Sequence, residues 1–432
     1  MKVSSINKEP DSKTVYIWNM LGSMSNALLS VVAFMILTRG VEGREADIFS
    51  LAWAVSQLMA IIGTFQIRMF QATDVEEKFT FDQYLQFRIV TIVVMMIGCG
   101  GYVLLKHYEP YKALVVIVIT LFRGIDCIAD VYEGWFQQKE RLDLASKAIV
   151  GRVWSALLVF AAGLFLTRNL MIASLSLTAA YAVCFYAFDY RYTILVDCFR
   201  RRKREKTGKK WMLQMAVEGF PLFVNAFLMM SIVNAPKLAI DAASGMGRLK
   251  DGVQTEFTVL FMPASFLTLA YIFFRPLVTH MAVFWSTNRK RKMLKILGRL
   301  VGALLAISVV ILAGSALLGI PILSVVYSLE LSPYRTELLI LIAGGCIYTF
   351  ANAFDNVLVV IRKQYLLIIA YVITWIYSKI VTQNLVFRMG MKGAALSYAS
   401  TMLLFFLMTT LLFGFGLFQE KQKKNRGKAE EK

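Results

Sequence analysis

The chain has 432 residues, 58% of them hydrophobic and only 17% charged, with a formal net charge of +19 and a mean hydropathy of +0.60. Soluble domains carry about 45–50% apolar and about 25% charged residues, so the composition points away from that class and toward a polytopic α-helical membrane protein. Two histidines and five cysteines without a CxxC pair offer no metal-site spacing and no redox motif, and the cysteines read as buried free thiols.

Apolar runs of about 20 residues recur along the whole sequence, the length that crosses a hydrocarbon core of about 30 Å. The polar opening, MKVSSINKEPDSK, lacks the short apolar stretch and small-residue site of a cleaved signal. The first span is therefore expected to direct insertion. Six spans are expected at about 15–37, 46–67, 89–105, 113–136, 149–167 and 170–190. Six more follow at about 218–240, 255–276, 298–319, 337–361, 365–387 and 393–418. With the amino terminus in the cytoplasm, roughly 34 of the 47 Lys and Arg fall in cytoplasmic segments and roughly 10 in outer ones. This asymmetry fits the positive-inside rule with both termini cytoplasmic. Arg123, Lys237 and Lys379 remain within spans, other Lys and Arg at span edges being counted with the adjoining segment.

The expected layout is a cytoplasmic tail (1–14), a six-helix bundle (15–197), a basic cytoplasmic linker (198–215), a second six-helix bundle (216–418) and a basic cytoplasmic tail (419–432). An even number of spans per half gives both halves the same orientation. Two amphipathic stretches stand in corresponding places, Arg68–Arg88 after span two and Arg275–Leu297 after span eight. Each reads as a short interfacial helix or a cytoplasmic extension of a span. The basic blocks Arg200–Lys210, Arg289–Lys295 and Lys421–Lys432 are explained by orientation and by anionic lipid heads, without nucleic acid. The longest outer connections, about Asp241–Gln254 and Ile320–Thr336, are too short to fold as domains.

Within the spans, polar residues form stripes. Span four carries Arg123, Asp126, Asp130 and Glu133, which fall within about 80° of one another on a helix. Asp126, Asp130 and Glu133 step toward the cytoplasm from Arg123 by about 4.5, 10 and 15 Å. A mid-membrane charge costs about 2.5–3.5 kcal/mol, so the stripe must be paired or hydrated. It is either a cavity wall or a structural Arg123–Asp126 pair. In span seven Asn234, Lys237 and Asp241 share a face, Asn225 lies elsewhere, and Pro221 and Pro236 are positioned to bend the helix. Lys237 is a cavity cation or snorkels to the outer interface. Span ten contains Asn352, Asp355 and Asn356, span eleven Lys379 beside Trp375 and Gln383, and span one Asn19, Ser23, Asn26 and Ser30. Helix packing is the competing reading for each.

A shared cavity would gather these stripes. Its candidate lining is Asn19, Asn26, Arg123, Asp126, Asp130, Asn225, Asn234, Lys237, Asn352 and Lys379, and its candidate ion-coupling groups are Asp126, Asp130 and Asp355. Such a mixture suits a ligand with an anionic group and many hydroxyls, or an ion-coupled carrier. No phosphate-binding GxxxxGK[ST], HExxH or nucleophile–histidine pair occurs. The reading is a non-enzyme without a cofactor, apart from a coupling Na+ or H+.

Four stretches carry a family resemblance: ILTRGVEGREADIFSLAWAVSQLMAIIGTFQIRMFQATD, FRGIDCIADVYEGWFQQKERLDLASKAIVGR, EGFPLFVNAFLMMSIVNAPKLAID and FTVLFMPASFLTLAYIFFRPLV. In these the chain resembles Wzx-like polysaccharide flippases, in the larger MATE/MOP superfamily that also holds the multidrug and toxin extruders. The resemblance implies an all-α membrane protein with two six-helix bundles forming a V around a central cavity. It implies alternating-access flipping of an undecaprenyl-diphosphate-linked oligosaccharide across the bacterial plasma membrane. Membrane lipids, a polysaccharide polymerase and glycosyltransferases of the same pathway are the other partners in reach. In the family basic residues line the cavity, and Arg123, Lys237 and Lys379 are the equivalents by placement. The carboxylates of span four depart from that purely cationic picture. A cation-coupled drug or small-solute exporter is the alternative within transport. A membrane-embedded polysaccharide polymerase is the alternative outside it, weakened by the short outer connections.

Overall fold

The computed structural model describes residues 10–41, 43–74, 76–196, 199, 210–270, 275–287, 289–361 and 363–430. These residues are almost entirely helical, with no strand among them. Nine segments among them are long and apolar enough to cross a membrane. One of the nine, Leu367–Gln419, holds two spans, because the helix breaks at Gly390.

The elements are α1 (Ser12–Gly40), α2 (Gly43–Thr64), α3 (Arg68–Thr73), α4 (Phe81–Leu105), α5 (Pro110–Gln138), α6 (Leu142–Thr167) and α7 (Leu170–Leu195). They continue with α8 (Lys210–Gly245), α9 (Val253–Ala270), α10 (Arg275–Ser286), α11 (Lys290–Tyr327), α12 (Arg335–Val360), α13 (367–389) and α14 (391–430). Eleven of the twelve expected spans fall on these helices, and the other, 255–276, begins on α9 and runs partly outside the described residues. The two amphipathic stretches supply α3 and α10, and the first turns of α4 and α11 extend their spans. Helices outrun the apolar windows because backbone hydrogen bonding continues past the hydrocarbon edge, where hydropathy falls.

The chain divides into two compact units, Met1–Met230 and Ser231–Lys432, with the division inside α8. The basic linker 198–215 lies mostly outside the described residues. α8 stays helical through Pro221 and Pro236, where the sequence allows a bend.

Local signals set the helix ends. Thr80 and Gln83 close a reciprocal capping box at the start of α4. Pro110 occupies the first turn of α5, and the Asn169 side chain accepts from the Ile172 amide to start α7. Gly390 adopts φ 59° and ψ −132°, a conformation open essentially to glycine alone, and so separates α13 from α14. In α7 the residues Tyr186–Tyr190 form a π turn, which rotates Asp189 into the interior.

The first unit packs through an aromatic ladder. Phe49 of α2 stacks on Phe160 of α6 at 5.5 Å, Trp53 on Phe122 of α5 at 6.0 Å, and Phe122 meets Tyr181 of α7 edge-on at 4.6 Å. Between helices with no aqueous driving force, small residues allow close approach. In the second unit a Cβ on Gly345 of α12 would lie 3.0 Å from the Ala264 carbonyl oxygen of α9, so the two backbones are in near contact. The four described cysteines, Cys99, Cys127, Cys184 and Cys346, are free thiols.

Candidate functional site

In the first unit the charged stripe of α5 is matched by arginines from three other helices. Asp130 accepts from Arg88 of α4 at 2.8 Å and from Arg68 of α3 at 3.1 Å. Glu133 accepts from Arg68 at 2.7 Å and from Arg152 of α6. Arg152 also holds Asp189 of α7. Arg88, Arg152 and Asp189 are essentially sealed from solvent. The chain of contacts thus alternates cation and anion, with Arg68, Arg88 and Arg152 facing Asp130, Glu133 and Asp189.

Burial alone lowers the Arg68 guanidinium's pKa, but Glu133 and Asp130 outweigh it and hold that pKa above its ordinary value. Further anchors are Arg88 to the Gly63 carbonyl at 2.8 Å and Gln71 to the Val131 carbonyl at 2.9 Å. These bonds tie α2, α3, α4, α5, α6 and α7 into one clamp. Such a clamp contributes most through what its loss would leave, a buried unpaired charge.

Nearer the middle of α5, Arg123 pairs with Asp126 at 3.3 Å, and Asp126 also accepts from the Tyr181 hydroxyl at 2.6 Å. The Arg123 guanidinium lies over Trp53, 4.6 Å from the ring centroid. This is the closed pair that the sequence offers as its structural alternative. The Asp126 side chain remains 31% exposed, so it retains an open side. In α1, Asn19 and Asn26 are exposed. In α8, Asn225 is half-buried.

In the second unit the charges are arranged differently. Lys237 is buried, and its ammonium lies 4.9 Å from the Phe261 ring centroid. No carboxylate lies within ion-pair distance of Lys237 among the described residues. Asn234, one turn earlier on α8, is buried beside it in sequence. Ser231 of α8 accepts from the Trp375 indole of α13 at 3.0 Å. Lys379 is exposed and sits 5.8 Å from the Trp375 ring centroid. Burial rather than snorkelling therefore describes Lys237, and exposure describes Lys379.

On α12, Asp355 accepts from the Tyr371 hydroxyl at 3.2 Å, and no cation pairs with it among the described residues. Asn352 bonds Tyr348, and its carbonyl accepts from Asn356 at 2.7 Å. No group of three or more His, Cys, Asp or Glu among the described residues is arranged to hold a metal ion.

Sequence reasoning placed the stripe of α5 but not its partners, Arg68, Arg88, Arg152, Tyr181 and Asp189. A signal existed for one pair. Arg152 and Asp189 lie inside expected spans five and six, at the cytoplasmic ends of consecutive antiparallel helices, where opposite charges meet.

No known family profile matches the chain, and no curated protein matches it in sequence. Solved structures do match in fold. One is an inward-facing multidrug resistance MATE family transporter of the MOP superfamily, with a TM-score of 0.68 at 12% identity over 96% of this chain and 99% of that one. Another is the MATE multidrug transporter DinF-BH, with a TM-score of 0.60 at 15% identity over 94% of this chain and 96% of that one. A third is a MOP superfamily transporter from Pyrococcus furiosus, described by a binding pocket of reversed polarity, with a TM-score of 0.53 at 12% identity over 97% of this chain and 98% of that one. Along nearly its whole length, the chain has the fold of the MATE and MOP-superfamily transporters.

Proposed function

We propose that the protein is a plasma-membrane transporter that flips an undecaprenyl-diphosphate-linked oligosaccharide by alternating access. The observation that carries this reading is Lys237. A buried ammonium in an apolar bundle, with an aromatic face beside it and no carboxylate in ion-pair reach among the described residues, is costly on its own. A diphosphate supplies the missing anion, and amides such as Asn234 and Asn225 suit hydroxyl-rich sugars. The four carboxylates of the first unit's clamp and of the Arg123 pair are already met by four arginines, so they do not set up a net negative field.

An ion gradient is the proposed drive, with Na+ or H+ as the coupling ion. Of the sequence's three ion-coupling candidates, Asp130 is held by two arginines and Asp126 by Arg123 and Tyr181. Asp355, which among the described residues is met by the Tyr371 hydroxyl and by no cation, is the best placed to take a cation in turn. The test is complementation in a deletion strain. The reading expects loss of the surface polysaccharide and accumulation of lipid-linked repeat units, both reversed by the gene. Normal polysaccharide with no accumulated intermediate would refute it.

Asp355 also favours a second reading, a cation-coupled exporter of drugs or small solutes; multidrug transporters share the fold. That reading expects deletion to raise sensitivity to cationic dyes, and unchanged sensitivity on deletion and overexpression would remove it.

A further inference from the structure

α11 begins with a dense run of cations. Arg289, Lys290, Arg291, Lys292, Lys295 and Arg299 fall within its cap and first turns, and no Asp or Glu occurs anywhere between Glu256 and Glu330. Arg291, Lys292, Lys295 and Arg299 are exposed, and none pairs with a carboxylate among the described residues. Arg291 and Lys292, in the first turn, also stand at the positive end of the helix dipole, where a cation is disfavoured by about 0.3–1 kcal/mol. The opposite face is apolar and buried, through Met293, Leu297, Leu300 and Leu304.

What lies above the cations along the same face is also specific. At 100° per residue, Arg291, Lys295 and Arg299 share a side of the helix with Gly298, Gly302, Leu305 and Val309. The space over Gly298 and Gly302 is open. Leu305 and Val309 are exposed by 58% and 59%. The most apolar stretch of α11 is only 11% buried within the protein, the least of the nine spanning segments among the described residues. At the base, Lys290 lies 4.6 Å from the Trp285 ring centroid of α10, and Lys292 lies 5.9 Å from that of Phe284. Aromatic rings of this kind mark the headgroup level of a membrane.

We infer that this face of α11 is a docking surface for an anionic phospholipid of the surrounding leaflet. The headgroup phosphate sits against Arg291, Lys295 and Arg299, and an acyl chain lies along the open glycines toward Leu305 and Val309. Along the face the cations come first, the open glycines begin beside Arg299, and the exposed aliphatics follow, which matches the order of a lipid from head to tail. The inference is independent of the transported cargo.

The experiment uses the full-length protein in detergent, titrated with phosphatidylglycerol or phosphatidylcholine and read by native mass spectrometry. The wild type is expected to take up phosphatidylglycerol in preference. K295Q/R299Q is expected to weaken that binding by roughly 30-fold, and R299Q alone by about fivefold, with phosphatidylcholine uptake unchanged. The charge-matched control K106Q/K250Q, at exposed lysines on other elements, is expected to stay within about twofold of the wild type. Equal uptake of the two lipids by the wild type would overturn the inference. So would full phosphatidylglycerol affinity in K295Q/R299Q, or an equal loss in the control.

Discussion

Arg152 gives the sharpest test of the clamp in the first unit. It is 1% exposed and holds Glu133 of α5 and Asp189 of α7 at once. In R152M the two carboxylates fare differently. Glu133 keeps Arg68 at 2.7 Å. Asp189 loses its one cation, in a place where its Oδ1 already has no hydrogen-bond partner. Stranding one buried carboxylate costs about 3–5 kcal/mol, a large share of the roughly 5–15 kcal/mol that holds a typical protein folded. D189L removes the stranded charge but leaves Arg152 on Glu133, at an expected cost of about 1–3 kcal/mol. In R152M/D189L, Arg68 and Arg88 still balance Asp130 and Glu133, so most of the R152M loss should return. The expected coupling energy is about 3 kcal/mol or more. SDS-titrated unfolding followed by tryptophan fluorescence measures all four proteins. Additive losses, or an R152M protein within about 1 kcal/mol of the wild type, would refute the ion-pair account.

Other predictions follow from close contacts. Gly345→Ala drives a Cβ to 3.0 Å from the Ala264 carbonyl oxygen, and should cost about 1–3 kcal/mol in the same unfolding assay. Gly101→Ala, in α4 with nothing within 4 Å, should instead stabilise by about 0.5–1 kcal/mol, and equal effects at the two sites would contradict the packing described. Phe65 takes a left-handed backbone at φ 46° and stacks on Phe223 of α8 at 4.6 Å. A double-alanine cycle on this pair should show about 0.5–1.5 kcal/mol of coupling, and a value near zero would mean that the stack does not hold α8.

The fold was readable because it rests on a signal the sequence cannot hide. Lipid requires about 20 consecutive apolar residues for each span, and hydropathy finds them. The charge stripe of α5 was equally legible, because helical periodicity alone aligns Arg123, Asp126, Asp130 and Glu133. Its partners were not, because Arg68, Arg88 and Arg152 stand at the expected cytoplasmic edges of spans and read as ordinary positive-inside charges. Only folding shows Arg88 and Arg152 to be buried. The π turn that points Asp189 inward has no sequence signature. Burial also separated the two lysines of the second unit, since Lys237 and Lys379 look alike in sequence. The side of α8 that meets Phe261 and the side of α13 that stays open are set by packing between helices.

The central claim is that Lys237 meets an anionic group of the cargo. It is tested most directly in proteoliposomes that carry a fluorescent lipid-linked oligosaccharide, with flipping read by protection from an added quencher. K237M should lower the rate by at least about tenfold, the cost of roughly one charge-assisted contact, while K237R should keep most of it. Flipping by K237M at the wild-type rate, in protein that elutes and unfolds as the wild type does, would contradict the account.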